Sequence, residues 1–161
     1  MANLGVTLRS LELVHFADEL KAIYRIVVAS FRNGFLYQPI SEAEFVAQYM
    51  QIRTYVRPEL VTIAMHEDRP VGFIFTLPDV LPARHGMPIE TAIIKTLAVI
   101  PDRRFAGLGT HLGVVNRRAV HKLGYRRMIH ALMHESNKSR SISARYASNI
   151  FRRYTLFARP L

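Results

Sequence analysis

The residues most able to do chemistry lie together in LAVIPDRRFAGLGTHL, residues 97–112. An apolar run ends at Pro101, a short loop carries Arg104, Gly107 and Gly109, and a helical pattern follows at once. A helix N-terminus offers backbone N–H groups without internal partners, and the helix dipole adds positive potential there. Glycines let the chain turn tightly and let an anion reach the backbone with no Cβ in the way. With the charge of Arg104 nearby, the loop reads as an anion cradle suited to a pyrophosphate. It is not a Walker loop, because no Gly-Lys-Ser/Thr follows, nor is it Gly-x-Gly-x-x-Gly.

The elements that must hold this loop can be read from periodicity. Val6–Val14 alternates as a first strand, and His15–Phe31 places Phe16, Leu20, Ile23, Tyr24, Val27 and Val28 at helical spacing. Arg32–Ile40, with Asn33-Gly34 and Pro39, is a loop. Ser41 precedes Glu44 by three residues, the spacing of a capping box, so a second helix is expected from there to about Tyr55. Leu60–Met65 and Val71–Leu77 read as a hairpin, and Pro78–Pro88 as a loop. Ile89–Ile100 is rich in β-branched residues and reads as a long, mostly buried strand. Leu108–Leu123 is helical, with a stripe of Leu108, Leu112, Val115, Ala119 and Leu123, and Gly124 is its expected stop. Arg126–His134 is a strand, Lys138–Ala147 a short helix and Arg152–Arg159 a last strand. The order β-α-α-β-β-β-α-β-α-β predicts an α/β (α+β) fold: helices against a mixed, largely antiparallel central sheet. A regular βαβ series is missing, which argues against a dinucleotide fold.

Composition sets outer bounds. The 161 residues suit a single domain spanning 1–161. The chain has no cysteine, which excludes disulfides, cysteine nucleophiles and thiolate metal sites; no metal is expected. No apolar run reaches the roughly 18 residues needed to cross a bilayer, and the opening residues do not follow a signal-peptide pattern. A cytoplasmic protein with no membrane partner is therefore expected. Charge is unevenly spread. Residues 1–102 hold nine Lys/Arg and eleven Asp/Glu, whereas residues 103–161 hold thirteen Lys/Arg and a single acid, Glu135. The second half favours an anionic partner, which a nucleotide phosphate, a nucleic acid or an acidic protein would satisfy.

Val99-x-Pro101-x-x-Arg104-x-x-Gly107-x-Gly109 resembles the acetyl-CoA signature of the GNAT superfamily of N-acetyltransferases. The element order is similar to that fold along nearly the whole chain. Glu135-Ser136-Asn137 after a strand, the hairpin residues Arg69-Pro70-Val71-Gly72-Phe73 and the closing Arg152-Arg153-Tyr154-Thr155-Leu156-Phe157 resemble family features as well.

The resemblance implies acetyl-CoA as cosubstrate and direct transfer of its acetyl group to a primary amine. Arg104, Phe105, Ala106, Gly107, Leu108, Gly109 and Thr110 would hold the pyrophosphate. Leu97, Ala98 and Val99 would pair with the pantetheine arm, with the N–H of Leu97 or Val99 stabilising the oxyanion. Asn137 would contact the same arm or cap the short helix. The family's usual glutamate base falls at about Ile93, an apolar residue, and Glu90 lies three residues upstream. His134 suits a base because it titrates near neutrality, and His130 would share its face of the strand. Tyr146 is the nearest match to a tyrosine that protonates the leaving thiolate, with Arg145 the alternative occupant of that position. The loop Arg32–Gln38 is expected to shape the acceptor site, and homodimers are common in the family.

Two other functions fit the same residues. One is a regulatory module or pseudoenzyme that binds acetyl-CoA without transfer. The other is a basic nucleic-acid-binding domain.

Overall fold

Ser41 and Glu44 form the capping box that their spacing predicts. The Glu44 N–H donates to the Ser41 hydroxyl at 3.2 Å, and the Ser41 N–H donates to the Glu44 carboxylate at 2.8 Å. Helix α2, Glu42–Met50, starts there. The preceding helix α1, Phe16–Phe31, turns Phe16, Leu20, Ile23 and Ile26 inward, as their spacing requires. The computed structural model describes residues 5–34, 37–135, 137, 140–146, 148–157 and 159.

Around these helices runs a sheet of β1 (Val6–Ser10), β2 (Val61–His66), β3 (Arg69–Pro78), β4 (Thr91–Val99) and β5 (Arg127–His130), in that spatial order. Neighbours are antiparallel except β4 and β5, which are parallel and joined by α3, Leu108–Lys122. A short helix α4, Arg140–Ala144, follows β5. The fold is thus the mixed, largely antiparallel sheet between helices that the sequence predicts. No helix among the described residues is long and apolar enough to cross a membrane.

Each face of the sheet buries its own cluster. On one face α1 and α2 cover Ile63, Phe73, Phe75 and Ala98, with Tyr49 edge-on to Phe75 at 5.3 Å. On the other, α3 packs Leu108 and Leu112 against Ala64, Ile74 and Ile94. Alternation along the strands assigns each side chain to its layer.

The expected apolar stripe of α3 is rotated in the fold. Asn116 is fully buried, between Leu112 and Val120, while Val115 and Ala119 are only partly buried. A buried amide needs partners. Asn116 has them: it accepts from the Thr76 hydroxyl at 2.8 Å and donates to the Leu60 carbonyl at 2.9 Å.

Strand boundaries are tighter than the sequence suggests. β1 stops at Ser10 and β5 at His130, so Leu13, Val14 and residues 131–134 lie outside strands. The expected last strand does not form among the described residues. Residues 148–157 carry no regular structure, and Phe151, Tyr154, Leu156 and Phe157 are exposed. A strand needs a ladder and a face to bury; β5 offers only four residues as a partner edge.

Candidate functional site

The site is organised by one irregularity. β3 and β4 pair Phe75 with Thr96 and Thr76 with Ile94, so Lys95 is an extra residue, a β-bulge in β4. A one-residue insertion exchanges the two faces of everything beyond it. Ile94 packs on the α3 side, whereas Thr96 lies opposite Phe75 and Ala98 opposite Phe73 on the α1/α2 side. Lys95 also faces α2, its ammonium 4.6 Å from the centre of the Tyr49 ring. Leu97 and Val99 consequently pack toward α3.

The bulge also resets the backbone. The Ile100 N–H donates to the Val71 carbonyl of β3 at 2.9 Å. In an antiparallel ladder alternate residues bond the same neighbour, so Ala98 and Thr96 bond β3 and the N–H groups of Leu97 and Val99 turn to the opposite edge. On that edge pairing with β5 ends early, at Ile94 opposite His130, with one further bond from the Ala131 N–H to the Ile94 carbonyl at 3.4 Å. Beyond it β4 carries an edge, from Lys95 to Val99, that no strand among the described residues pairs. The Val99 carbonyl is taken by the Ser30 hydroxyl at the end of α1, at 2.9 Å.

This edge leads into the glycine loop. Asp102 caps a single 3₁₀ turn, Arg103–Phe105: its carboxylate accepts from the Arg104 N–H at 2.8 Å. The N–H groups of Phe105 and Ala106 bond the carbonyls of Asp102 and Arg103. The Phe105 ring is buried beside Val71, Ile74 and Leu108, and meets the His66 ring edge-on at 5.3 Å. Gly107 then takes φ +84°, a left-handed conformation that other residues rarely adopt, and becomes the N-cap of α3 with no side-chain cap. The first intrahelical bond runs from the His111 N–H to the Gly107 carbonyl. The N–H groups of Leu108, Gly109 and Thr110 therefore have no partner within the helix.

The cradle is thus narrower than the sequence implies. Residues 107–110 present N–H groups, while those of Arg104, Phe105 and Ala106 are already used in the turn. Arg104 is not a free cation either. Its Nε and Nη2 both donate to the Asp102 carboxylate, at 2.9 and 2.8 Å. The hydrogen bonds from Arg104 in turn hold the Asp102 carboxyl below the usual carboxylate range. Arg104 shapes the turn; the helix N-terminus supplies the anion-binding potential.

A side chain at Gly109 would enter this corridor: a Cβ there lies 3.8 Å from Val99 Cγ2 and 4.0 Å from Ile142 Cδ1 of α4. Val99 and α4 therefore flank the path from the open edge to the cradle.

The candidate proton-transfer residues are scattered. Glu90 precedes β4 at the end remote from the loop. Its carbonyl accepts from the N–H groups of Arg126 and Arg127, and its carboxylate lies 3.7 Å from both guanidinium groups. With Leu97 seven residues further along an extended strand, roughly 20 Å separate them, so Glu90 holds β5 in place and cannot reach the open edge. His134 lies past the end of β5, exposed, its carbonyl bonded by the Asn137 N–H at 2.9 Å. It therefore does not share a strand face with His130. Asn137 itself precedes α4, and its carbonyl accepts from the Arg140 N–H at 3.1 Å. Tyr146 rests against α3, its ring 4.6 Å from the Arg117 guanidinium, about 12 Å along the helix from Gly109. Arg145 is exposed.

His130 lies nearer the point where the strands part, on the α3/α4 face of the sheet. It occupies the last rung before the strands part, with Nδ1 2.5 Å from the Ser143 hydroxyl of α4. Burial lowers its pKa below the usual histidine value, which keeps it neutral near pH 7.

On the α1/α2 side of the parting strands lies a depression of about 440 Å³, bounded by Leu77, Pro78, Asp79, Leu81, Ile93, Lys95, Ala131 and Leu132. The described residues of the loop Arg32–Gln38 contribute none of its lining; Phe35 and Leu36 fall outside the described residues. Sequence reasoning missed Lys95 because a bulge leaves no local signature in a β-branched run.

No family model matches the sequence, and no curated protein matches it. Solved structures do match in fold. An aminoglycoside acetyltransferase from an uncultured soil metagenomic sample, in complex with sisomicin, superposes with a TM-score of 0.66 at 14% identity, over 100% of this chain and 99% of that one. A GNAT family acetyltransferase from Brucella melitensis, in complex with acetyl-CoA, gives 0.65 at 14% identity over 91% and 84%. The ribosomal-protein-S18-alanine N-acetyltransferase from Escherichia coli gives 0.62 at 20% identity over 88% and 76%. The chain has the GNAT fold.

Proposed function

We propose that this chain is an acetyl-CoA-dependent N-acetyltransferase that moves the acetyl group directly to a primary amine. The observation that carries the reading is the bulged strand β4. Its second edge, with outward N–H groups at Leu97 and Val99, runs straight into the N–H groups of Leu108, Gly109 and Thr110, which have no partner within the helix. An extended, amide-bearing arm ending in a pyrophosphate matches that sequence of donors.

Acetyl-CoA supplies an activated acetyl thioester. The backbone of Leu97–Val99 would pair with the pantetheine arm, and the cradle at residues 107–110 would take the pyrophosphate. The N–H of Leu97 would face the negative charge that develops on the acetyl oxygen. A new N–C bond forms as the C–S bond breaks, and the amine proton passes to a base or to water. His130 faces α4 on the side of the sheet away from the depression, so water is the proposed carrier of that proton. With no cysteine in the chain, an acetyl-cysteine intermediate is excluded and direct transfer is the simplest course.

Gly109→Asp tests the cradle. An acid in the first turn of a helix is favourable to folding. The same group fills the corridor beside Val99 and repels a phosphate. The wild type should gain about 2.7 kcal/mol of stability at acetyl-CoA near 100 times its Kd. The folded variant should show no thermal shift. Equal shifts in both proteins would refute the cradle, and no shift in a folded wild type would refute acetyl-CoA binding.

A further inference from the structure

The depression beside Lys95 has an uneven chemistry. Leu77, Leu81, Ile93, Ala131 and Leu132 give it an apolar wall. Two charged side chains reach it, Asp79 and Lys95. Asp79 sits at the far end, where its N–H bonds the Thr91 carbonyl at 2.8 Å and its carboxylate accepts from the Leu81 N–H at 3.3 Å. Lys95 stands at the near end, one residue beyond the last rung between β4 and β5, and two residues before Leu97. Among the described residues no carboxylate lies within ion-pair distance of its ammonium, which rests over Tyr49.

The bulge therefore turns a cation toward the depression, two residues before Leu97, where the reading above puts the acetyl group. A polycationic amine would bring like charges together there, at a cost. An amine with an anionic group two or three bonds from its nitrogen gains a charge-assisted contact instead. The apolar wall then receives the rest of the molecule, and the volume of about 440 Å³ suits a body of amino-acid size.

From this juxtaposition we infer that Lys95 selects the acceptor: a small zwitterionic amine, an α-amino acid with an apolar side chain, whose carboxylate meets the Lys95 ammonium. The inference rests on the acetyltransferase reading above and adds the substrate class to it. It also separates this chain from the aminoglycoside acetyltransferase whose fold it shares, because the sisomicin in that complex is a polycation.

The test compares L-leucine, L-leucinamide and spermidine as acceptors, with release of free CoA thiol as the readout. In the wild type kcat/KM for leucine should exceed that for leucinamide by about tenfold. Lys95→Met should erase the difference, and Lys95→Glu should reverse it in favour of leucinamide and spermidine. Lys95 lies outside the cradle, so the thermal shift with acetyl-CoA should persist in both variants. If turnover is too slow to follow, affinities for N-acetyl-leucine and N-acetyl-leucinamide in the presence of CoA give the same comparison. Equal preference for acid and amide in the wild type, or a preference untouched by Lys95→Glu, overturns the inference. Loss of the acetyl-CoA shift in the wild type overturns the underlying reading instead, and the two failures are told apart.

Discussion

The two halves of β4 have the same length scale and similar residues but opposite duties. From Thr91 to Ile94 the strand is paired on both sides, by β3 and by β5, and Thr91, Ala92 and Ile94 are buried. From Lys95 to Val99, among the described residues, only β3 pairs with it and the other edge is open. Binding groups are thus obtained by ending one ladder early while the other continues. The strand stays rigid because β3 holds it throughout, and a preorganised donor needs that rigidity.

The sharpest way to break this contrast is a pair of proline substitutions on adjacent residues. Leu97→Pro removes an N–H from the open edge, where sheets tolerate proline. The protein should stay folded by circular dichroism and lose about 10²–10³-fold in kcat. Ala98→Pro removes an N–H from the β3 ladder in the core and should destabilise the fold itself. If Leu97→Pro retains full activity, the oxyanion donor is not at Leu97. If Ala98→Pro proves as stable as the wild type, the edge assignment is reversed.

A smaller effect is expected from the support beneath the paired half. Thr76 lies opposite Ile94 and is held by Asn116. Asn116→Ala leaves the Leu60 carbonyl without its buried donor and the Thr76 hydroxyl without its acceptor, which should cost about 1–3 kcal/mol in urea or thermal unfolding. Acetyl-CoA affinity of the folded variant should be unchanged. A matching loss of affinity would show that the two halves are coupled.

The smallest effect concerns the junction at His130. Its folded pKa is depressed by burial, so the unfolded chain binds the extra proton first. Native stability is therefore fully present above the unfolded value of about 6.5 and declines as pH falls from there through the folded value. His130→Gln should flatten the stability profile over that acid window while leaving it nearly unchanged at pH 8. Parallel profiles for the two proteins would mean that burial does not control this group.

Much of this arrangement is legible in the chain alone. The Ser41–Glu44 box, the stop at Gly124 and the strand–loop–helix run through residues 97–112 are local signals, set by neighbours within four positions. Their physical causes, capping and positive φ, act over the same distance, so a linear reading finds them. The family resemblance rests on that same run, and the fold agrees with it. The scattered proton-transfer candidates were not legible in that way. Glu90, His134 and Tyr146 are near the motif in sequence or by count, but strand ends and helix packing carry them elsewhere.

The sequence by itself determined the layered α/β class, the glycine loop at a helix start and the absence of cysteine chemistry. Only the tertiary structure decided that Lys95 is the extra residue in β4, that Leu97 and Val99 face the open edge, and that Arg104 is bound to Asp102. The reason is register. Which residue is extra depends on how two strands align across the sheet. That alignment is chosen by the burial of both faces at once, a sum over the whole core rather than over any short stretch of chain.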